Sequence, residues 1–222
     1  MRILRIKIIR FLGCNMIIDP KEQSFQENHK LMIGSIVPRP IALVSTISKG
    51  GVNNLAPFSY FNGVCSKPPT VMFAPARRGW DGNEKDTLVN IRESKEFTIN
   101  IVSESFVEKM VICGTDFDPS IDEFDSSNLI KISSKKVKPP IVKQAKVSFE
   151  CSLTKIVQIG KHEAGGGFIV IGEIILFHID DKVYNKGHLD LNELNPVGRL
   201  AGDWYTRSKD NFKVIRKVKP DS

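Results

Sequence analysis

The sequence predicts a mainly β protein, in which an antiparallel sheet closes into a barrel with a few short helices. Strand-like runs rich in β-branched and aromatic residues recur along the chain, and Gly or Pro residues separate several of them. These runs lie at residues 41–46, 55–61, 70–74, 97–102, 146–157 and 168–179. Because the loops are short and helical candidates are few, we expect a barrel rather than a parallel sheet with crossover helices.

The first two strands are predicted to form a hairpin that offers backbone groups to a ligand. Residues 41–46 are apolar and then β-branched, which suits a buried strand, and Lys49-Gly50-Gly51 supplies a tight turn. The returning run, residues 55–61, contains Pro57, which cannot donate a ladder hydrogen bond. We therefore expect an edge or bulged strand with free backbone donors.

Two segments carry helical signals. Asp86 is expected to cap a helix from residue 87 to about 94, with Leu88, Ile91 and Val89 facing inward. A second helix is predicted near residues 103–112, where a Ser and a Glu have the spacing of a capping box.

The segment 114–140 carries acidic residues followed by lysines, and we expect it to cross the surface over the mouth of the barrel. Its acidic residues lack the D-x-D-x-D-G spacing of a calcium loop. We therefore assign no calcium site to it.

Composition indicates a single globular domain. The chain has 222 residues, of which 41% are hydrophobic and 26% charged, so it can bury a sizeable core without disulfides. No apolar run approaches the ~20 residues that a membrane-spanning helix needs. We predict one domain over residues 16–207, preceded by an extension, residues 1–15, and followed by a basic tail, residues 208–222.

The net charge of +7 is concentrated at the two ends of the chain. Residues 1–10 hold four basic residues, and residues 207–222 hold six basic residues against two acidic ones, so the ends carry +8 and the rest −1. A solvated, partly disordered terminus explains this pattern better than a nucleic-acid site does.

Cysteine and histidine spacing gives no sign of a metal site. The four cysteines contain no C-x-x-C pair, and the four histidines lack the spacing of metal ligands. We expect reduced thiols in a cytoplasmic protein and assign no metal.

The first fifteen residues alternate basic and apolar side chains and precede a second methionine, Met16. One interpretation is that translation starts at Met16; the other is a weak targeting segment, which here lacks the expected serines and cleavage site. We favour the internal start, and intact-mass analysis of the native protein distinguishes the two.

Six separated motifs resemble those of one family. They are I-V-P-R-P-I-A-L-V-S-T through N-N-L-A-P-F-S-Y-F-N at 36–62, P-P-T-V-M-F-A-P at 68–75, K-D-T-L-V-N-I at 85–91, F-T-I-N-I-V at 97–102, G-G-G-F-I-V-I-G-E-I at 165–174 and P-V-G-R-L-A-G-D-W-Y-T-R at 196–207. In this order they resemble the flavin reductase-like family over nearly all of residues 16–207. The resemblance implies an FMN-binding split barrel with Greek-key antiparallel strands, related to flavoredoxin, and a homodimer with flavin near the subunit boundary.

The resemblance also implies a set of FMN-binding residues. Lys85 and Thr87, at the predicted helix start, are expected near the phosphate, and Arg77 and Arg78 on the preceding loop could add charge-assisted bonds. Along the ring system the resemblance places Ser45, Thr46, Asn54, Ala56, Pro57, Ser59 and Asn62. Trp204 and Tyr205 are candidates to cover the ring, with anchoring of the C-terminal tail as the equal alternative.

The function that the resemblance implies is transfer of electrons from NAD(P)H through FMN to an acceptor. The sequence has no G-x-G-x-x-G after a strand, and Gly165-Gly166-Gly167 is expected in a hairpin loop, so NAD(P)H is expected to bind transiently over the flavin. The first alternative is a non-catalytic FMN-binding protein or electron carrier of flavoredoxin type. The second is a barrel that binds RNA or DNA through its basic tail.

Overall fold

The computed structural model describes residues 9–10 and 16–215, and its main element is one large antiparallel sheet. The strands of this sheet are β3 (Ala42–Ile47), β4 (Asn53–Phe58), β5 (Phe61–Ser66), β6 (Pro69–Phe73), β7 (Glu96–Ile101), β10 (Val147–Ile159) and β11 (Gly167–Ile179). Their order in the sheet is β4-β3-β7-β10-β11-β6-β5.

Short strand pairs and α-helices complete the fold around the sheet. The pairs are β1 (Ile9–Arg10) with β2 (Met16–Ile17), β8 (Lys131–Ile132) with β9 (Ile141–Val142), β12 (Tyr184–Asn185) with β13 (His188–Leu189), and β14 (Val197–Arg199) with β15 (Tyr205–Arg207). The α-helices are α1 (Phe25–Ser35), α2 (Asp86–Ser94), α3 (Val107–Ile112), α4 (Glu123–Ser127) and α5 (Leu191–Leu194). No helix in residues 16–215 is long and apolar enough to cross a membrane.

The two edge strands of the sheet are neighbours in sequence. β4 and β5 lie at opposite edges, yet only Ser59 and Tyr60 join them, and the N–H of Ala74 donates to the carbonyl of Tyr60 at 2.8 Å. Since so short a link spans at most about 11 Å between the strand ends, the sheet must curl until its edges meet. No ladder joins β4 to β5 in the described chain, so the barrel stays open along this line, which we call the seam.

The sheet packs on both faces because β3 alternates between two cores. Ala42 and Val44 point into the barrel, where Phe73 contacts the rings of Phe58 and Phe97 at centroid distances of 5.0 and 5.6 Å. The opposite face is covered by α3 and α4, whose core residues include Met110 and Phe124. Helix α2 packs inside through Leu88 and Ile91.

The predicted strands and the first turn are confirmed. Each of the six runs contains strand, although the run at 55–61 divides at Ser59–Tyr60 into the end of β4 and the start of β5. Gly51 adopts φ 85° in the turn before β4, a conformation that favours glycine. β4 is an edge strand, as Pro57 indicated.

Details of α2 differ from the prediction. The helix begins at Asp86, and Lys85 is its N-cap without a side-chain cap bond; the predicted capping role of Asp86 is wrong because its carboxylate binds Arg78 instead. Val89 is 41% exposed rather than inward. The buried face is completed by the polar Thr87 and Asn90, which hydrophobic spacing alone does not reveal.

The second predicted helix is present, but its capping box is not. A 3-10 turn, Glu104–Phe106, precedes α3, and the hydroxyl of Ser105 pairs with that of Ser103 at 2.9 Å. Three α-helices, α1, α4 and α5, were not predicted, and α1 among them does carry a capping box, formed by Ser24 and Glu27. It was missed because none of its residues is buried, so its sequence has no strong apolar periodicity.

The segment 114–140 is only in part a surface crossing. Phe124 is fully buried and Leu129 is 4% exposed, and both belong to the outer core. The acidic pattern gave no sign that this residue is buried, because Phe124 is flanked by Glu123 and Asp125. The expected extension, residues 1–15, lies outside the described residues except for Ile9 and Arg10, as does the tail beyond residue 215.

Candidate functional site

Three adjoining hollows lie beside β4, one of the two strands at the seam, and share Pro57 as a lining residue. The helix hollow, about 60 Å³, lies beside the start of α2 and is lined by residues including Asn54, Lys85, Thr87, Asp116 and Glu123. The hollow that we call the apolar hollow, about 400 Å³, is lined by the apolar residues Ile41, Pro57, Met110 and Val111 and by residues including Ser59, Thr115, Arg199 and Tyr205. The arginine hollow, also about 400 Å³, is lined by residues including Arg39, Ser59, Tyr60, Lys85, Arg199 and Asp203.

The start of α2 presents unused hydrogen-bond donors to the helix hollow. The first N–H groups of a helix have no partner within the helix, and those of Asp86 and Thr87 have no acceptor among the described residues. Lys85, the N-cap residue, adds its positive charge at the positive end of the helix dipole. This end of the hollow suits an anion.

Carboxylates neutralise the cations around the helix hollow. Lys85 Nζ lies 3.2 Å from Asp116 Oδ1, and one Nη atom of Arg78 lies 3.0 Å from both oxygens of Asp86. An anion that binds Lys85 must therefore displace Asp116, whose side chain is 49% exposed.

Glu123 is a buried acid at the edge of β4. Its carboxylate accepts the N–H of Leu55 at 2.9 Å, which occupies a backbone donor that the edge strand would otherwise leave free. Burial raises the pKa of Glu123, which favours the protonated form.

Arg39 is a buried arginine that holds several chain segments together beside the site. It is 4% exposed, and its guanidinium donates to the carbonyls of Ile33, Ile36 and Leu200 at 2.8, 2.5 and 2.9 Å. It also donates to the hydroxyl of Ser59 at 3.3 Å. Burial lowers the pKa of Arg39. These bonds join the end of α1 to the seam.

Arg199 has a different environment. Its guanidinium lies over the ring of Tyr205 at 4.4 Å, and no carboxylate or hydrogen-bond acceptor contacts it in residues 16–215. Two backbone bonds of 3.0 and 2.8 Å hold Arg199 against Arg39. The side chain lines both the apolar and the arginine hollow.

The structure brings eight of the predicted site residues to the hollows. Six line the helix hollow, namely Asn54, Ala56, Pro57, Arg78, Lys85 and Thr87. Ser59 lines the other two hollows, and Tyr205 lines the apolar hollow.

Two predicted residues lie beneath the site instead. Ser45 and Thr46 are fully buried; the hydroxyl of Ser45 has no partner in the described structure, and that of Thr46 accepts from Asn90 at 3.1 Å. A parallel bond of 2.9 Å runs from Asn54 to Thr87. Together these side chains fasten α2 inside the barrel.

Three other predicted residues lie away from the hollows. Asn62 is exposed on β5. Arg77 is 8% exposed, with its guanidinium over the ring of Phe168 at 4.9 Å and near His162 at 3.2 Å. Trp204 is 75% exposed.

The sequence analysis did not nominate Arg39, Asp116, Glu123 or Arg199 as site residues. For the two arginines the available signals were the Pro38-Arg39-Pro40 sequence and the P-V-G-R motif. Nothing in the acidic segment distinguished Asp116 or Glu123 from its neighbours. No cluster of metal-ligating residues occurs in the part of the chain that the structure describes.

A family model described as "Flavin reductase like domain" matches residues 33–193. The chain belongs to the flavin reductase-like family. The match spans the seam, α2 and all strands of the main sheet, so the predicted family and its split-barrel fold are confirmed.

Several proteins resemble this chain along nearly all of its length. An uncharacterized protein of Aquifex aeolicus is 41% identical over 195 residues, covering 87% of this chain and 96% of the relative. The crystal structure of nitrilotriacetate monooxygenase component B from Bacillus cereus has a TM-score of 0.86 and 34% identity, covering 91% of this chain and all of that one. The 2-nitrobenzoate 2-nitroreductase NbaA of Pseudomonas fluorescens has a TM-score of 0.81 and 31% identity, covering 93% and 98%.

Proposed function

We propose that this flavin reductase-like protein is an FMN-dependent oxidoreductase, which passes electrons from NAD(P)H through FMN to an acceptor. The observation that carries the proposal is the start of α2. There, two unused backbone N–H groups and Lys85 face a hollow beside β4 of a flavin reductase-like barrel.

The helix hollow offers the groups that a dianionic phosphate requires. Lys85 would supply charge, and the N–H groups of Asp86 and Thr87 would donate hydrogen bonds. The Thr87 hydroxyl accepts from Asn54, which leaves its own proton free to donate. In this proposal Asp116 releases Lys85 when the phosphate binds.

The ring system would lie against the end of β4. Ala56, Pro57 and Phe58 form an apolar surface between the helix hollow and the two larger hollows. Ser59 is held by Arg39 and is therefore fixed in position. These residues would orient the cofactor and exclude water from it.

When bound, FMN supplies the two-electron chemistry that protein side chains lack. The names of two similar structures, a monooxygenase component and a nitroreductase, favour an enzyme over a passive electron carrier.

The first test is a titration of flavin-free protein with FMN, comparing the natural protein with Lys85→Gln. We expect the loss of one phosphate contact to weaken FMN binding about tenfold, a change of ~1.4 kcal/mol. The control is Lys49→Gln, which removes the same charge from the turn before β4 and should leave the affinity unchanged. Failure of the natural protein to bind FMN would end the proposal.

The second test concerns the electron donor. Under anaerobic conditions, NADH or NADPH should bleach the visible absorbance of bound FMN. If FMN binds but neither nucleotide bleaches it, the donor assignment is wrong and the carrier function of flavoredoxin type takes its place.

We further propose a cytoplasmic homodimer. Helix α1 exposes apolar side chains that a partner would cover, with exposed fractions of 40% for Phe25, 45% for Leu31 and 48% for Met32. Light scattering on the eluting protein should give twice the chain mass of 24.9 kDa. A monomer at micromolar concentration would contradict the dimer.

A further inference from the structure

We propose that Arg199 binds the carboxylate of a small aromatic monocarboxylate, whose ring fills the apolar hollow. This ligand would lie beside the flavin, and in that respect alone the inference rests on the proposed function. The binding site itself consists of protein side chains alone.

The guanidinium of Arg199 lacks the partners that other arginines of this chain have. Hydrogen bonds to oxygen acceptors are made by the guanidiniums of Arg39, Arg77, Arg78, Arg92 and Arg207. Arg199 is half-buried and contacts the ring of Tyr205, but within residues 16–215 it has no such acceptor. A half-buried cation without an acceptor is a position at which an incoming anion gains energy.

The position of this cation is fixed by its surroundings. Arg199 and Tyr205 face each other on β14 and β15, and the backbone of Arg199 is bonded twice to Arg39. One face of the guanidinium is therefore covered by the tyrosine ring, while its N–H groups have no protein acceptor. A planar fork held in this way suits the two oxygens of a carboxylate.

The local charge favours an anion. Arg39 and Lys85 line the arginine hollow with Arg199, and Asp203 is the one carboxylate among the residues that line it. The residues lining the apolar hollow include no carboxylate. The guanidinium of Arg39 is already bonded to three carbonyls and Lys85 is paired with Asp116, so Arg199 is the cation left to contact the ligand directly.

The shape and polarity of the apolar hollow select the rest of the ligand. Ile41, Pro57, Met110 and Val111 line it together with Arg199 and Tyr205, and the hydroxyl residues Ser59 and Thr115 also contribute. Its volume of about 400 Å³ exceeds the space that a benzene ring needs. An apolar ring with one carboxylate matches these walls and the single available cation.

A phosphate-bearing ligand matches the apolar hollow less well. A pyrophosphate carries several negative charges and requires further cations, whereas Arg199 is the one cation among the residues that line this hollow. We therefore commit to the carboxylate and use pyrophosphate as a competing probe.

The experiment is a calorimetric titration of the flavin-free protein with benzoate, benzamide and inorganic pyrophosphate. We expect benzoate to bind at least tenfold more tightly than benzamide, its neutral counterpart of the same shape. Equal binding of the two would overturn the role of the charge. Pyrophosphate binding that excludes benzoate would overturn the choice of ligand.

Two variants assign the effect to Arg199. Arg199→Gln should weaken benzoate binding at least tenfold, and Arg199→Lys should weaken it by less, because it keeps the charge but loses the fork. The control, Arg92→Gln, makes the same charge change at a side chain that is 43% exposed and does not line the three hollows. If Arg199→Gln does not fold, Arg199→Lys decides: an affinity equal to that of Arg92→Gln would overturn the proposal.

FMN binding is measured separately in each variant by absorbance after ultrafiltration. Benzoate binding with no FMN binding would support Arg199 while rejecting the proposed cofactor. FMN binding with no benzoate binding would support the cofactor while overturning the inference about Arg199.

Discussion

Lys85 and Asp116 form an ion pair at the helix hollow, with Nζ 3.2 Å from Oδ1. A carboxylate of the chain is therefore bound to the cation that, in the proposed function, would bind the FMN phosphate. Lys85 belongs to the start of α2, while Asp116 lies on the loop after α3. An anion that binds Lys85 more tightly than Asp116 does can therefore replace this ion pair.

Asp116→Asn should tighten FMN binding, because Lys85 no longer has to leave a carboxylate before it binds the phosphate. Since partly exposed ion pairs contribute about 0.2–1 kcal/mol, we expect a gain of about 1.4- to fivefold. Equilibrium dialysis of FMN at low and high salt measures it. The control is Asp125→Asn, which removes an exposed carboxylate from Lys131. Unchanged affinity in Asp116→Asn would show that the pair does not compete with the cofactor.

Arg39→Met should destabilise the fold by about 3 kcal/mol, because it leaves the carbonyls of Ile33, Ile36 and Leu200 without their donor. Urea unfolding monitored by circular dichroism gives the free energy. Arg92→Met removes an exposed guanidinium and should cost less than about 1 kcal/mol. Equal losses in the two variants would contradict the anchoring role of Arg39.

Glu104 should make stability depend on pH at acid values. Hydrogen bonds from Arg207 and Asn195 lower the pKa of Glu104 to about 2 in the folded protein, from an ordinary value of 4.5. A depressed folded pKa means that the stabilisation is present above pH 4.5 and is lost as the pH falls from 4.5 towards 2.

The measurement for Glu104 is the melting temperature of the natural protein and of Glu104→Gln between pH 7 and pH 3. The natural protein should melt higher at pH 7, and the difference should shrink below pH 4.5. A difference that stays constant over this range would show that the carboxylate charge is not the cause. Glu108→Gln serves as the control.

Gly172→Ala should destabilise the barrel by about 1–3 kcal/mol, because a methyl group on β11 would overlap the buried ring of Phe97. Thermal unfolding measures the loss. Gly63→Ala is the control, since no atom lies within 4 Å of the position its methyl group would take. Phe97→Leu combined with Gly172→Ala should recover part of the loss, and additive costs would argue against a steric cause.

The strands of the sheet were predictable from sequence because β-branched runs and Gly or Pro turns are local signals. Pro57 alone indicated the edge position of β4, since a missing N–H is a property of one residue. The family motifs then gave the split barrel, which strand patterns by themselves did not distinguish from other barrels.

The site was less predictable because its charges are paired across the fold. Asp116 contacts Lys85 from 31 residues away, and Arg39 contacts the carbonyl of Leu200 from 161 residues away. Local spacing gives no signal for such pairs. The resemblance placed Thr46 and Asn54 along the FMN ring, but their hydrogen bonds to Asn90 and Thr87 depend on where α2 lies inside the barrel.

The link Ser59–Tyr60 brings the two margins of one sheet together without hydrogen-bonding them. A ligand in the arginine hollow would contact Ser59 and Tyr60, the two residues that connect these margins. Because it binds the folded barrel and not the unfolded chain, it would stabilise both margins together. The melting temperature of the whole barrel would then rise with the concentration of such a ligand.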